Sequence, residues 1–220
     1  MIRVLSVHLD DALMALGQHL AVEPAVVHTV LAGVPEGFLT LTEYDESCSF
    51  PTSHAAMRAR RDEDNDACAV LGALPIHMDF LDQQYGREPS DEFEITEAIR
   101  RLYNPRVRLF APLGLDHDDH RLVSRCTRAA VSSFAGADLP VSIFFYEELP
   151  GRVLHPEQVV EAVREIESEG WRFDAVPFPL PQGDRALKEQ ALRCYRSQLG
   201  SDLDPCLLVP ERVLRASMGG

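Results

Sequence analysis

Two short clusters of histidine and aspartate lie more than a hundred residues apart, at 8–11 and at 117–120. The first reads His-Leu-Asp-Asp and the second His-Asp-Asp-His. Two imidazoles and one carboxylate suit zinc in a catalytic site that keeps an open coordination position. A further carboxylate and histidine would remain for acid–base chemistry. Taken singly, a helix N-cap at Asp10 or Asp11 explains the first cluster and a solvated turn explains the second.

Each cluster follows an apolar run that is predicted to form a buried strand, 2–7 before the first and 107–113 before the second. Open α/β sheets bind ligands at the carboxyl ends of their strands. In the second cluster the two histidines are three residues apart and share one face of a helix or tight turn. The common position at strand ends favours one shared metal site over two unrelated turns.

Apolar runs alternate with helical periodicity, a pattern typical of a Rossmann-like three-layer α/β sandwich with a mostly parallel central sheet. The predicted strands are Ile2–Val7, Ala25–Leu31, Ile76–Leu81, Val107–Ala111 and Val141–Tyr146. The predicted helices are Asp11–Ala21 (amphipathic), Ser53–Leu71, Asp91–Tyr103, Asp119–Ser133, Pro156–Ser168 and Asp184–Leu199. Gly72 suits the end of the second helix because glycine adopts the left-handed cap conformation. The loop-rich connections 33–52 and 82–90 are expected to face the substrate.

The 220 residues predict a single domain over 1–220. With 21 Lys and Arg against 35 Asp and Glu, the net charge of −14 argues against nucleic acid or an anionic membrane as the partner. Five cysteines without a C-x-x-C pair favour a reducing compartment over a disulfide framework. Since no apolar run approaches eighteen residues, a soluble cytoplasmic protein without a membrane span is expected.

The chain resembles the PIG-L/LmbE family of zinc-dependent N-acetyl sugar deacetylases in five motifs that follow the family's order. The family's His-Pro-Asp-Asp-Glu compares with His8-Leu9-Asp10-Asp11-Ala12, and its His-Pro-Asp-His with His117-Asp118-Asp119-His120. Its Arg-x-x-Glu-x-x-x-Ala-x-x-x-Leu-Gly pattern is matched by Arg60, Glu63, Ala67, Leu71 and Gly72. Two further matches are Phe80-Leu81-Asp82 and the set Lys188, Ala191, Tyr195, Ser197 and Gln198.

This resemblance implies a role for each residue of the two clusters. Zinc would be held by His8, Asp11 and His120. Asp10 would be the general base. His117 would stabilise the oxyanion or protonate the leaving amine.

Three further residues receive supporting roles from the resemblance. Asp119 would orient a histidine, as carboxylates behind metal-binding imidazoles do. Arg60 and Asp82 match positions that face sugar hydroxyls in the family. A surface ion pair with Glu63 remains the alternative for Arg60, and a plain loop carboxylate remains the alternative for Asp82.

The implied reaction removes an N-acyl group, above all N-acetyl, from an amino sugar, a glycoconjugate or a natural-product intermediate. The partner would then be a small N-acylated molecule. Members of the family are often multimeric, so the resemblance also implies a homo-oligomer. Four residues depart from the family pattern around the site: Leu9, Ala12, Leu115 and Asp118. They leave two alternatives open. One is hydrolysis of another acyl amide, ester or thioester at the same zinc site, and the other is a binding or accessory protein without turnover.

Overall fold

The computed structural model of the protein describes residues 1–37, 40–88, 91–136, 141–199 and 203–218. Within these ranges, the strands are β1 (Ile2–Ser6), β2 (Ala25–Thr29), β3 (Leu74–His77), β4 (Leu109–Pro112), β5 (Val141–Tyr146), β6 (Arg172–Phe173) and β7 (Val213–Met218). The helices are α1 (Asp11–Leu20), α2 (Glu43–Ser47), α3 (Ser53–Leu71), α4 (Asp91–Leu102), α5 (Asp118–Ser132), α6 (Gly151–Leu154), α7 (Pro156–Ser168), α8 (Arg185–Leu192) and α9 (Arg196–Leu199).

The strands form one sheet in the order β3-β2-β1-β4-β5-β7-β6. Its first five strands run parallel, and β7 pairs antiparallel with both β5 and β6. The winding of the chain reverses between β1 and β4, which lie side by side with Val4 opposite Phe110. Such a reversal opens a crevice at the carboxyl ends of the two strands. The topology therefore brings together the segments that follow β1 and β4.

Helices cover both faces of the sheet, which confirms the predicted three-layer α/β sandwich with a mostly parallel sheet. The core on one face includes residues of α1, α3 and α8, and the core on the other includes residues of α4, α5 and α7. Because successive strand residues point to opposite faces, Val4 belongs to the first core and Leu5 to the second. Covering on both sides also explains why β1 is a nearly continuous apolar run.

Helix α1 is buried on nearly every side, so the predicted amphipathic character is wrong. Nine of its residues are buried, and Gln18 is the exception. Both α3 and α8 pack against it in addition to the sheet. Gly17 permits the close approach of α8, because a Cβ at this position would lie 2.7 Å from Cγ of Lys188. The helix that begins in the first cluster is thus anchored in the core.

The predicted helix over 53–71 is confirmed at both ends. The Thr52 hydroxyl accepts the Ala55 N–H, and Gly72 ends the helix at a φ of 70°. The loop 33–52 proves less irregular than predicted, because α2 forms within it and is capped by Thr42. Residues 38–39 of this loop and 89–90 of the loop 82–90 lie outside the described ranges.

Three other expectations differ from the structure. Strand β3 begins at Leu74 and ends at His77, before the predicted run 76–81 is complete, because it forms a largely exposed edge. The predicted helix 184–199 is divided into α8 and α9, with Tyr195 turned into the core between them. Strands β6 and β7 were not predicted, since an antiparallel edge with partly buried residues lacks a long apolar run.

Candidate active site

The first cluster lies where β1 passes into α1, and Ser6 organises this turn. Its hydroxyl donates to the carbonyl of His8 at 2.6 Å and accepts the Ala12 N–H at 3.0 Å. Asp10 occupies the N-cap position but its side chain makes no capping hydrogen bond. Ser6 therefore accepts a backbone N–H at the start of α1, and the Asp10 carboxylate remains free to line the adjoining cavity.

Three side chains from the two strand ends converge on one point. Oδ2 of Asp11 lies 3.2 Å from Nδ1 of His8 and 3.3 Å from Nε2 of His120. The same oxygen accepts the His8 N–H at 2.7 Å, which fixes the carboxylate against the turn. The three donor atoms all lie within 4.8 Å of one another. The structure thus brings together the three metal ligands that the sequence predicts.

The donor set fits a zinc-like ion in both chemistry and spacing. Bonds of 2.0–2.1 Å in tetrahedral geometry place neighbouring donors about 3.3 Å apart. The separations from Asp11 to His8 and to His120 match that value. Two imidazole nitrogens and one carboxylate oxygen also leave room for water or substrate in a fourth position.

The charges of these groups depend on one another. Burial alone would raise the pKa of Asp11, but the charge of His120 and hydrogen bonds from both imidazoles hold it well below its usual value. Burial alone would lower the pKa of His8 and of His120, yet Asp11 and the other nearby carboxylates raise both. A cation is therefore favoured here, as protons on the imidazoles or as a metal that replaces them.

A buried carboxylate lies behind each imidazole of the donor set. Oδ2 of Asp119 is 3.2 Å from Nε2 of His8, and Oε1 of Glu148 is 3.7 Å from Nδ1 of His120. Hydrogen bonds from His8 and Arg87 outweigh the burial of Asp119 and hold its pKa well below the usual range. Burial raises the pKa of Glu148 to about 7, although the charge of His120 opposes this. The predicted role of Asp119 is thus directed at His8 more closely than at His117, whose Nδ1 lies 3.7 Å away.

His117 forms the exposed part of the second cluster, with 54% of its side chain accessible. It is the N-cap of α5, and its Nδ1 accepts the Asp119 N–H at 3.2 Å. The remaining nitrogen, Nε2, then carries the ring proton. His8, His117 and Asp119 form a second group with metal-binding spacing. Its donor atoms already have partners, since Asp119 pairs with His8 and Arg87 and Nδ1 of His117 accepts a backbone N–H, so the set around Asp11 is the better metal site.

A cavity of about 720 Å³ opens above the donor set. His8, Asp10 and His117 lie on its lining with the predicted Arg60 and Asp82, and the rest is formed by Leu9, Leu31, Tyr44, Met57, Gln83, Gln84, Asp118 and Gln198. Burial, followed by the charge of Asp11, raises the pKa of Asp10 to about 7. Both loops that were expected to face the substrate contribute to this lining.

Arg60 is buried at the cavity wall and does not act as a surface helical residue. It forms an ion pair of 2.8 Å with Asp45 of α2 and donates to the Tyr85 hydroxyl at 3.1 Å. Its guanidinium lies 4.9 Å from the centre of the Tyr44 ring. Nε and Nη2 have no hydrogen-bond partner among the described residues. Glu63, the alternative partner, instead accepts from the backbone and hydroxyl of Ser197.

Asp82 is held at the cavity rim by Gln84. Its carboxylate accepts the Gln84 backbone N–H at 3.0 Å and the side-chain amide at 2.8 Å, and it lies 3.8 Å from Nε2 of His8. Leu115, by contrast, is buried in the core and does not line the cavity. The Leu115 side chain therefore does not contact a molecule bound in the cavity.

The segment near the carboxyl terminus supports the site from behind. The Tyr195 hydroxyl lies 2.9 Å from the carbonyl of Leu9, inside the first cluster, and 2.6 Å from Asp64. Gln198 reaches the cavity lining. Lys188 lies farther off in a fully buried ion pair of 3.0 Å with Glu211.

Sequence reasoning missed Arg87 and Tyr44 as parts of the site and favoured a plain loop over the edge of a pocket for Glu148. Glu148 follows the carboxyl end of β5, the position that identified the two clusters, but no second histidine accompanies it to provide a signal. Arg87 lies on a loop and Tyr44 on the short helix α2, and the approach of both segments to the sheet depends on tertiary packing.

Comparison with known proteins decides the family. The model of the GlcNAc-PI de-N-acetylase (PIG-L) family matches residues 4–131, more than half of the chain and the part that contains both clusters. The chain belongs to the PIG-L family. As a PIG-L deacetylase it hydrolyses an amide bond outside peptides. No protein with a curated description matches the sequence.

Solved structures share the PIG-L fold over almost the whole chain. Teicoplanin deacetylase Orf2, in a zinc-inhibited form, is 19% identical with a TM-score of 0.70 and covers 98% of this chain and 97% of its own. The A40926 pseudoaglycone deacetylase Dbv21 is 21% identical with a TM-score of 0.71, covering 99% and 96%. N,N'-diacetylchitobiose deacetylase from Pyrococcus horikoshii is 18% identical with a TM-score of 0.54 and covers 97% of this chain and 83% of its own.

No helix in the described ranges is long and apolar enough to cross a membrane.

Proposed function

We propose that the protein is a zinc-dependent deacetylase that removes an N-acetyl group from an amino sugar carried by a glycoconjugate or natural-product intermediate. One observation carries this proposal: a His-Asp-His donor set borders a cavity through His8, and the separate carboxylate of Asp10 lines the same cavity. Metal-assisted hydrolysis needs both a Lewis acid and a base at one site.

The proposed zinc ligands are His8, Asp11 and His120. A bound zinc ion would supply Lewis-acid chemistry, because it makes a water molecule more acidic and polarises an amide carbonyl. One similar enzyme was solved in a zinc-inhibited form. The identity of the metal should therefore be tested by titrating zinc from below to above one equivalent and by repeating the titration with cobalt.

Asp10 is the proposed general base. It takes a proton from the attacking water and returns it to the departing amine, so that one carboxylate balances both proton transfers. His117 carries its ring proton on Nε2, because Nδ1 accepts the Asp119 N–H. We assign it to donate a hydrogen bond to the oxyanion of the tetrahedral intermediate, and Asp119 to hold the ring of His8.

The cavity lining supports an amino-sugar substrate with an apolar attachment. Arg60 and Asp82 lie on the lining and offer a donor and an acceptor for sugar hydroxyls. Leu31 and Met57 add apolar surface to the same wall. The volume of about 720 Å³ is large enough for a ligand of drug size. The similar structures include deacetylases of teicoplanin, a pseudoaglycone and diacetylchitobiose.

A substrate panel tests this proposal. The metal-loaded protein is incubated with N-acetylglucosamine, N,N'-diacetylchitobiose and aryl or alkyl N-acetylglucosaminides, and the released acetate and free amine are measured. We expect turnover to be fastest on the glycosides with an apolar group. Ester and thioester analogues in the panel test the alternative hydrolysis. Absence of turnover on every N-acetyl compound by a protein that binds one metal would contradict the proposal.

The proposal keeps three further expectations from the sequence. One domain spans 1–220, the protein works in the cytoplasm, and its partner is a small N-acylated molecule in place of nucleic acid or membrane. A homo-oligomer is the assembly to test by light scattering.

A further inference from the structure

Each metal-binding imidazole has one nitrogen at the donor set and one directed away from it. Nε2 of His8 faces Asp119 at hydrogen-bond distance. Nδ1 of His120 is buried and has no hydrogen-bond partner among the described residues, and the carboxylate oxygen facing it at 3.7 Å belongs to Glu148. An imidazole that binds metal through one nitrogen needs an acceptor for the proton on the other, which fixes its tautomer and orientation.

Glu148 is held in place by the loop that carries the second cluster. Its carboxylate accepts three consecutive backbone N–H groups, those of Leu113 at 3.1 Å, Gly114 at 2.7 Å and Leu115 at 3.0 Å. Gly114 makes this turn possible, since its φ is 101° and a Cβ there would lie 3.1 Å from Cβ of Ser124. The side chain therefore joins the end of β4 to the ligand on α5.

We propose that Glu148 is a positioning residue of the metal centre. It accepts the Nδ1 proton of His120 and, through the loop 113–115, sets the position of His120 relative to Asp11. The inference rests on the proposed function, because it takes His120 as a metal ligand. Glu148 lies outside the cavity lining, so we expect it to influence the reaction indirectly, by positioning His120.

Glu147 provides a matched control in the neighbouring position. Both residues are buried to the same degree, with 1% of each accessible. The carboxylate of Glu147 lies 3.5 Å from Arg152 and 3.5 Å from Arg212. Replacing either glutamate by glutamine exchanges one buried carboxyl group for an amide next to the same strand. Only Glu148 faces a metal ligand.

The test compares the metal affinity of wild type, Glu148→Gln and Glu147→Gln by competition with a chromophoric chelator, using zinc and then cobalt. We expect Glu148→Gln to bind metal about 10–100-fold more weakly and to alter the visible spectrum of the cobalt form. The amide of glutamine would direct an N–H₂ group at the backbone donors or at His120. Glu147→Gln should keep the affinity within about twofold and the spectrum unchanged.

Wild-type affinity and an unaltered cobalt spectrum in Glu148→Gln would overturn the inference, and so would an equal loss in both variants. If the wild type binds metal in that experiment, the proposed function itself is unaffected. A wild type that binds no metal would contradict both.

A second measurement does not require the variant to fold. Nitrogen-15 NMR of the zinc-loaded wild type, labelled at histidine, should show a proton on Nδ1 of His120 that exchanges slowly with solvent. A metal-bound Nδ1, or a proton there that exchanges rapidly, would overturn the assignment of Glu148.

Discussion

The two histidine–aspartate clusters meet at one site but differ in construction. In the first, Asp11 is 5% exposed and its position is fixed by the backbone of His8. The second is divided, since Asp119 and His120 are buried whereas His117 stands at the rim with 54% of its side chain accessible. This difference fits the two tasks that we propose, in which the buried groups hold the metal and the rim histidine and Asp10 approach the substrate.

Physical chemistry explains the division. Buried charges are costly unless opposite charges or hydrogen bonds compensate them. Asp11 and Asp119 have such partners in His8, His120 and Arg87. A change among the buried groups should therefore alter metal affinity, whereas a change at the rim should alter turnover and leave the metal in place.

The largest effect is expected from Asp11→Ala, which removes the oxygen shared by both imidazoles. Loss of the metal should lower kcat/KM by about 10⁴-fold, equivalent to several kcal/mol of transition-state stabilisation. Metal content and activity are measured on the same sample. Asp66→Ala, at an exposed position on α3, serves as the control. An Asp11→Ala protein that retained its metal would remove the distinction between the two parts of the site.

Asp10→Asn should keep the metal and lower kcat by about 10²–10⁴-fold, because the base is lost while the ligands remain. Stopped-flow or steady-state kinetics on the metal-loaded protein measure this effect. Full activity in the variant would refute the assignment of the base.

His117→Ala should lower kcat by about 10²-fold with little change in metal affinity, because the change removes one donor to the oxyanion. It should also cost about 1 kcal/mol of stability, since His117 caps α5. Loss of metal from this variant would contradict the division of roles, because it would show that the rim histidine helps to hold the metal.

The smallest effect is expected from Ser6→Ala, which tests how much Ser6 stabilises the turn between β1 and α1. The change removes two hydrogen bonds, to the His8 carbonyl and from the Ala12 N–H, and should lower the free energy of unfolding by about 1–2 kcal/mol. Urea denaturation of the metal-free protein measures it, with the exposed Ser168→Ala as control. An unchanged midpoint would mean that Asp10 takes over the cap.

Local signals predicted the parts of the fold that local chemistry determines. Helix α3 could be predicted because cap residues mark both of its ends. The buried parallel strands β1 and β4 could be predicted because they are apolar runs in the sequence, and their neighbouring positions place both clusters at one edge of the sheet. Strand β7 was not predicted from the sequence, because its residues are only partly buried near the edge of the sheet and form no continuous apolar run.

The supporting residues of the site depend on packing between distant segments. The pairing of Arg60 with Asp45 joins α3 to a helix within a loop, and Glu148 reaches His120 from a different strand. Neither contact has a fixed sequence spacing. A motif can therefore identify the donor set, whereas the groups that orient it become visible only in three dimensions.

Metal content of the purified protein, measured by elemental mass spectrometry beside His120→Ala, tests the central claim most directly. About one zinc per wild-type chain is expected, with its loss from the folded variant. Absence of metal from the wild type after zinc supplementation, or an equal metal content in His120→Ala, would contradict a metal centre built from the two clusters.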